Sequence, residues 1–251
     1  MRAFVYIILV ATVFIQASAN RNKSIERKAS QFYDQQEWAS ASAMYDLIIE
    51  GSHPTPADFG HAIVSAEMQN DTTSSMALTE KAASRQIDLD SVFHYVRSLS
   101  FDQGMTSLYE GYLLQVKQHI PWMRRVADNY LMDYYTFRNN GPMMISYSEL
   151  MLRGLPDDIR FLTTLARGYM IVNKPDKAAE VFSHILQLDP DNYEVILTLG
   201  NYYLELYRDN HDDSDSKTKA VQYLNRASAI RSTPYVNNLI LSLTDDSKGK
   251  K

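Results

Sequence analysis

Cysteine is absent from all 251 residues. That excludes disulfides, a thiol nucleophile and a lipid-modified N-terminal cysteine. Glycine and proline are scarce, at 9 and 8 residues, and long β-branched runs are few, which leaves a composition suited to helices. No concentrated basic stripe is present and the net charge is −5, so a nucleic-acid partner is not expected. The six histidines form no H-x-x-x-H or H-E-x-x-H pair. Neither a G-x-S-x-G elbow nor a glycine-rich phosphate loop occurs. Catalytic residues, a metal site and a cofactor are therefore not expected, and the chain does not read as an enzyme. What is present is an ordinary 45% hydrophobic content, enough for a sizeable core, and an unusually high 17 tyrosines.

Residues 1–19 read as a secretory signal peptide. Arg2 supplies the positive start, Phe4 to Ile15 the apolar stretch, and Ala17-Ser18-Ala19 the small-x-small cleavage pattern. The apolar run is short for a bilayer span, and no second run of about 18 apolar residues follows, so no membrane insertion is expected after cleavage. An exported chain of this size without cysteine fits the bacterial periplasm better than a compartment where exported domains commonly carry disulfides.

A helical period shows best over 159–190. Leu162, Leu165, Ala166 and Tyr169 recur as one apolar face, and Ala178, Phe182, Ile185 and Leu186 as another. Asn173-Lys174-Pro175 separates them. Asn tolerates a left-handed turn, and Pro175 suits the first position of a helix. Asp189 and Pro190 read as the cap and opening of the next helix. A second copy follows with Ile196, Leu199, Gly200 and Tyr203, then Ala220, Leu224 and Ala227. An insertion of about eight residues is expected within 209–216. A third copy has Ile25, Ala29 and Phe32, then Trp38, Ala41, Tyr45 and Ile48, closed by Gly51. The middle is weaker. Phe59, Ala62, Ile63, Ala66, Met76 and Ala82 suggest one pair. Trp122, Val126, Ala127, Tyr130, Tyr147, Leu150 and Met151 suggest another. The stretch 87–119 is helical by pattern without a clear signature.

The 159–190 stretch resembles the tetratricopeptide repeat, a helix–turn–helix unit of about 34 residues. Leu162, Leu165, Ala166, Tyr169, Ala178, Phe182 and Pro190 match the family pattern, with Asn173 where glycine is common. The resemblance implies an all-α, right-handed superhelix, or α-solenoid, of about six antiparallel helix pairs with a final helix near Pro234–Leu243. The repeat domain is expected over 20–243, with a charged, disordered tail at 244–251.

In that family the first helices line the surface that holds a bound peptide. The corresponding residues here are Arg160, Thr163, Arg167, Met170 and Ile171, then Glu194, Leu197, Asn201, Leu204 and Glu205. Arg167 could grip a carboxylate through two hydrogen bonds, and Asn201 could pair with an extended backbone. The expected partner is another protein or peptide, and the expected role an exported interaction scaffold. An obligate accessory subunit of an envelope machine is the alternative. An enzyme with a site in the groove ranks below both.

Overall fold

The computed structural model describes residues 23–51 and 53–245. The signal peptide read at 1–19 and the tail beyond Asp245 lie outside the described residues. The described part is all-α. It holds α1 (residues 23–34), α2 (Trp38–Ile49), α3 (Pro56–Met68), α4 (Thr72–Ser84), α5 (Leu89–Asp102) and α6 (Thr106–His119). A 3-10 turn at Pro121–Met123 leads into α7 (Arg124–Phe137), α8 (Gly141–Leu152), α9 (Ile159–Ile171) and α10 (Pro175–Leu188). The last elements are α11 (Tyr193–Asp209), α12 (Ser214–Ile230) and α13 (Pro234–Asp245). Among the described residues this makes six helix pairs, α1/α2 to α11/α12, and a closing helix. Two compact units divide the chain, one ending at Asp128 and one beginning at Asn129.

The first five pairs share one backbone device. Gln36, Asn70, Gly104, Asn139 and Asn173 all have positive φ, and they follow one another at intervals of 34, 34, 35 and 34 residues. Each ends the first helix of a pair in the same way. The amide of Asn173 donates to the Met170 carbonyl and that of Lys174 to the Tyr169 carbonyl. Gln36 and Glu37 donate likewise to Tyr33 and Phe32, Asn139 and Asn140 to Thr136 and Tyr135. This paired closure satisfies carbonyls that a helix end would otherwise leave open, and it needs one left-handed residue. The second helices then start on side-chain caps where the sequence offers one. Asp71 accepts from the Ser74 amide and Asn140 from that of Met143. Thr55 and Asp58 close a reciprocal capping box at α3.

The turn spacing explains which apolar residues are buried. Ala29, Ala41 and Tyr45 in the first pair stand where Ala166, Ala178 and Phe182 stand in the fifth, and all six are buried. Small side chains at those places let two helices approach closely. Gly200 makes the point in the sixth pair, since a Cβ there would lie 2.9 Å from Leu224 Cδ2. Phe59, Ala62, Ile63, Ala66, Met76 and Ala82 are likewise buried in the second pair. There Ser75 and Thr79 replace the small and aromatic residues of the pattern, and Thr79 Oγ1 lies 3.0 Å from the hydroxyl of fully buried Tyr112. Burial holds that phenol well above the ordinary tyrosine range, so it stays protonated and hydrogen-bonded.

Five sequence expectations need correction. In the first pair the core takes Tyr33 and Ile49, each one residue beyond the expected Phe32 and Ile48, which are half-buried. Gly51 does not turn left-handed; α2 ends on Glu50 in ordinary helical conformation. Around α7 the phase lies five residues later than the pattern built on Ala127, because Asn139 closes the helix and places Leu131, Met132 and Tyr135 in the core. Trp122, Val126 and Leu150 consequently face outward, Trp122 by 60%. Asp189 and Pro190 do not open α11. Asp189 ends α10, and Asn192 caps α11 by accepting from the Val195 amide. Finally, the insertion in the last pair is five residues. From cap to cap, Asp158 to Lys174 spans 16 residues and Asn192 to Asp213 spans 21. The helix absorbs most of it, with 17 residues in α11 against 13 in α9.

The left-handed residue should set part of the stability of each pair that has one. Gly104 has no atom within 4 Å of an added Cβ, so Gly104→Ala should cost only the strain of a left-handed backbone, about 1 kcal/mol. Gln86, at φ 59° between α4 and α5, should show the opposite, with Gln86→Gly gaining up to about 1 kcal/mol. Urea unfolding of both variants checks the pair of signs.

Candidate partner-binding face

The first helices of the C-terminal unit are linked by one recurring contact. Arg160 on α9 reaches back to α7, donating to Asn129 Oδ1 at 2.6 Å and lying 3.9 Å from Asp133 Oδ1. Tyr235 on α13 reaches back to α11 in the same sense, its hydroxyl donating to Asn201 Oδ1 at 3.3 Å. One repeat of 34 residues carries Arg160 onto Glu194 and Asp133 onto Arg167, as it carries the Asp158 cap onto Asn192. The same register therefore pairs Glu194 with Arg167. Glu194 turns elsewhere. It accepts at 3.2 Å from Arg231, whose guanidinium also lies over the Tyr193 ring at 3.8 Å. Arg167 is left exposed on α9 and forms no ion pair among the described residues.

The other expected residues separate into two groups. Thr163 is half-buried, and Met170 and Ile171 are exposed, so α9 presents Arg167 beside an apolar margin. On α11 the expectation fails for Leu204, which is only 2% exposed and packs with Tyr207, Ala220, Leu224 and Leu243. Leu197 is half-buried against the same cluster and against Ile196, Ala227 and Val236. The cause is α13, which covers these positions with Val236 and Leu243. Asn201 is half-buried and already accepts from Tyr235, which limits what it can offer an extended backbone. Glu205 is exposed and pairs with Arg208 at 2.6 Å.

Asn129, Asp133, Arg231 and Tyr235 belong to this face and escaped the sequence reading. The first two were hidden by the misplaced phase of α7, and the spacing of Asn139 and Asn173 would have revealed it. Arg231 and Tyr235 follow an insertion, so counting repeats forward from α11 does not reach them.

The acidic stretch 209–216 is largely used by the fold. Asp213 caps α12, accepting from the amide of Ser216 at 3.0 Å and its hydroxyl at 2.6 Å. Those bonds hold the Asp213 carboxyl below its ordinary range. Asp215 pairs with Lys219 at 2.7 Å. No helix of the described residues is long and apolar enough to cross a membrane.

The fold is tetratricopeptide-like. No family model matches the chain, and no curated protein matches it. Among the solved structures that resemble it at low identity are proteins described as TPR repeats. The C-terminal part of a TPR repeat-containing protein from Cytophaga hutchinsonii is 18% identical, with 81% of this chain and 78% of that one covered and a TM-score of 0.43. A TPR repeats protein from Bacteroides fragilis is 11% identical over 89% and 98%, with a TM-score of 0.41. The TPR2AB domain of yeast Sti1, solved with pHSP90, is 10% identical over 90% and 99%, with a TM-score of 0.40.

If α13 closes the unit, removing its anchor should cost what a buried leucine costs. Leu243→Ala is expected to lose about 2–5 kcal/mol and to expose Leu204. Thermal unfolding and amide exchange in α11 read the two effects.

Proposed function

We infer that the chain is an exported scaffold of the bacterial periplasm that holds a segment of a partner protein on the face formed by α9 and α11. Arg167 carries the reading. It sits where the repeat register supplies a paired group in each neighbouring contact, yet its own partner is held by Arg231. An exposed guanidinium bordered by Met170 and Ile171 suits a carboxylate carried on an apolar segment. Arg231 supports the reading from the other side, since its pairing with Glu194 withholds the carboxylate that would neutralise Arg167. The pair is exposed and worth little in stability, about 0–1 kcal/mol, so its geometry matters more than its strength.

The role is one of holding rather than chemistry. Tetratricopeptide-like pairs bury their apolar faces against neighbours and leave the first-helix surface to a partner. Export rests on Arg2, the apolar stretch after it and Ala17-Ser18-Ala19.

Two experiments test these statements. Protein spanning residues 20–251, immobilised beside Arg167→Glu, is exposed to solubilised cell envelope. The wild type should retain a partner that the variant, with an unchanged helical circular dichroism spectrum, loses by about tenfold or more, the size of one charged contact. Equal retention by both would remove the face from the proposal. Mass spectrometry of the protein from the periplasmic fraction should give Asn20 as its first residue. A chain that keeps Met1 and stays in the cytosol would overturn export.

A further inference from the structure

The C-terminal unit carries a second feature, lined by residues that take no part in the Arg167 face. A cleft of about 350 Å³ opens between the second helices α10 and α12, with α11 beneath it. It borders the pair that lacks the left-handed turn and carries the five-residue extension. Asp176 and Glu180, one helical turn apart on α10, form one wall. Asp215 and Lys219, one turn apart on α12, form the other, and Tyr202 and Tyr203 rise from α11 between them.

One side of the cleft already holds an ammonium. Lys219 Nζ lies 2.7 Å from Asp215 Oδ2 and 5.1 Å from the centroid of the Tyr203 ring. A carboxylate and a tyrosine face thus bind a single positive charge, and Tyr203 is itself backed by Tyr223, stacked at 5.8 Å with an interplanar angle of 2°. The other side repeats the elements without the cation. Tyr202 donates its hydroxyl to Asp176 Oδ1 at 2.7 Å, which orients that carboxylate without neutralising it. Burial and Asp176 push the Tyr202 phenol up to about 12, so it remains a donor at any physiological pH. The Glu180 carboxylate makes no hydrogen bond or ion pair among the described residues. Three carboxylates face one ammonium, and the surplus negative charge is on the α10 side.

We propose that this cleft binds a lysine or arginine side chain of a basic protein segment, with Asp176 and Glu180 taking the charge and Tyr202 fixing the first carboxylate. The two carboxylates stand a turn apart on one helix face, a spacing that lets both reach a single cationic head. The cleft is open, so the side chain can enter while its backbone stays outside. This surface is separate from the Arg167 face and does not depend on it.

The test uses the full chain and fluorescein-labelled tetralysine, tetra-arginine and tetraglutamate, read by anisotropy. Wild type should bind the two basic peptides and not the acidic one, with affinity falling as salt rises. Asp176→Asn with Glu180→Gln should weaken binding about tenfold or more. Lys219→Gln should strengthen it several-fold by freeing Asp215 and Tyr203, a direction that misfolding cannot produce. Glu26→Gln with Glu37→Gln removes the same charge from the other unit and should leave binding unchanged. The proposal is overturned if neither basic peptide binds, if the control pair weakens binding as much as the cleft pair, or if Lys219→Gln has no effect. Tetralysine binding alone would restrict the ligand to ammonium, tetra-arginine alone to guanidinium, and either supports a cation site.

Discussion

The repeat in this chain hangs on a left-handed residue at the end of the first helix in five of its six described pairs. A helix leaves its last carbonyls unsatisfied, and continuing it would carry the chain away from its partner. One residue at positive φ turns the backbone and lets two successive amides return to carbonyls of the last turn. The next helix then begins at once and runs back along the first. Because the device recurs at a nearly constant interval, equivalent residues recur at the same place in successive pairs. Burial of Ala29, Ala41 and Tyr45 in one pair and Ala166, Ala178 and Phe182 in another follows from that spacing. Packing tolerates exchange at these places, as Ser75 and Thr79 show, but the turn does not move.

The two surfaces of the C-terminal unit are both departures from this regularity. On the first-helix side, the contact that recurs between neighbours is broken once, where Arg231 takes Glu194 and Arg167 is left over. On the second-helix side, the pair without the left-handed turn lengthens α11 and leaves an acidic cleft beside it. A regular array satisfies its own polar groups, so a binding surface is expected where the pattern is interrupted. The charges divide accordingly. One face offers a guanidinium to a carboxylate, and the other offers carboxylates to a cation.

The helix pairs were legible because their determinants are local. Leu162, Leu165 and Ala166 declare a helix face by spacing alone, and Asn173 with Pro175 declares the turn. The α7 region was misread because Ala127 and Tyr130 mimic the small and aromatic residues of the pattern, whereas the true core takes Met132 and Tyr135. Two methionines, Met132 and Met144, fill places where other pairs have alanine, and a flexible side chain hides a packing position from a search for small residues. Tertiary context also explains Tyr33 and Ile49, each displaced by one residue from the expected face.

By itself the sequence determined the helices, their turns and the number of pairs, since hydrophobic period, caps and left-handed residues act within a few residues of one another. It also determined that Arg167 would stand on an outward face. Only the tertiary structure decided which polar groups remain open. Leu204 leaves the surface because α13 covers it, Asn201 is taken by Tyr235, and Glu194 by Arg231. Each of those outcomes depends on a residue 34 or more positions away, brought near by packing, and pairing over that distance is set by geometry that composition and spacing do not encode.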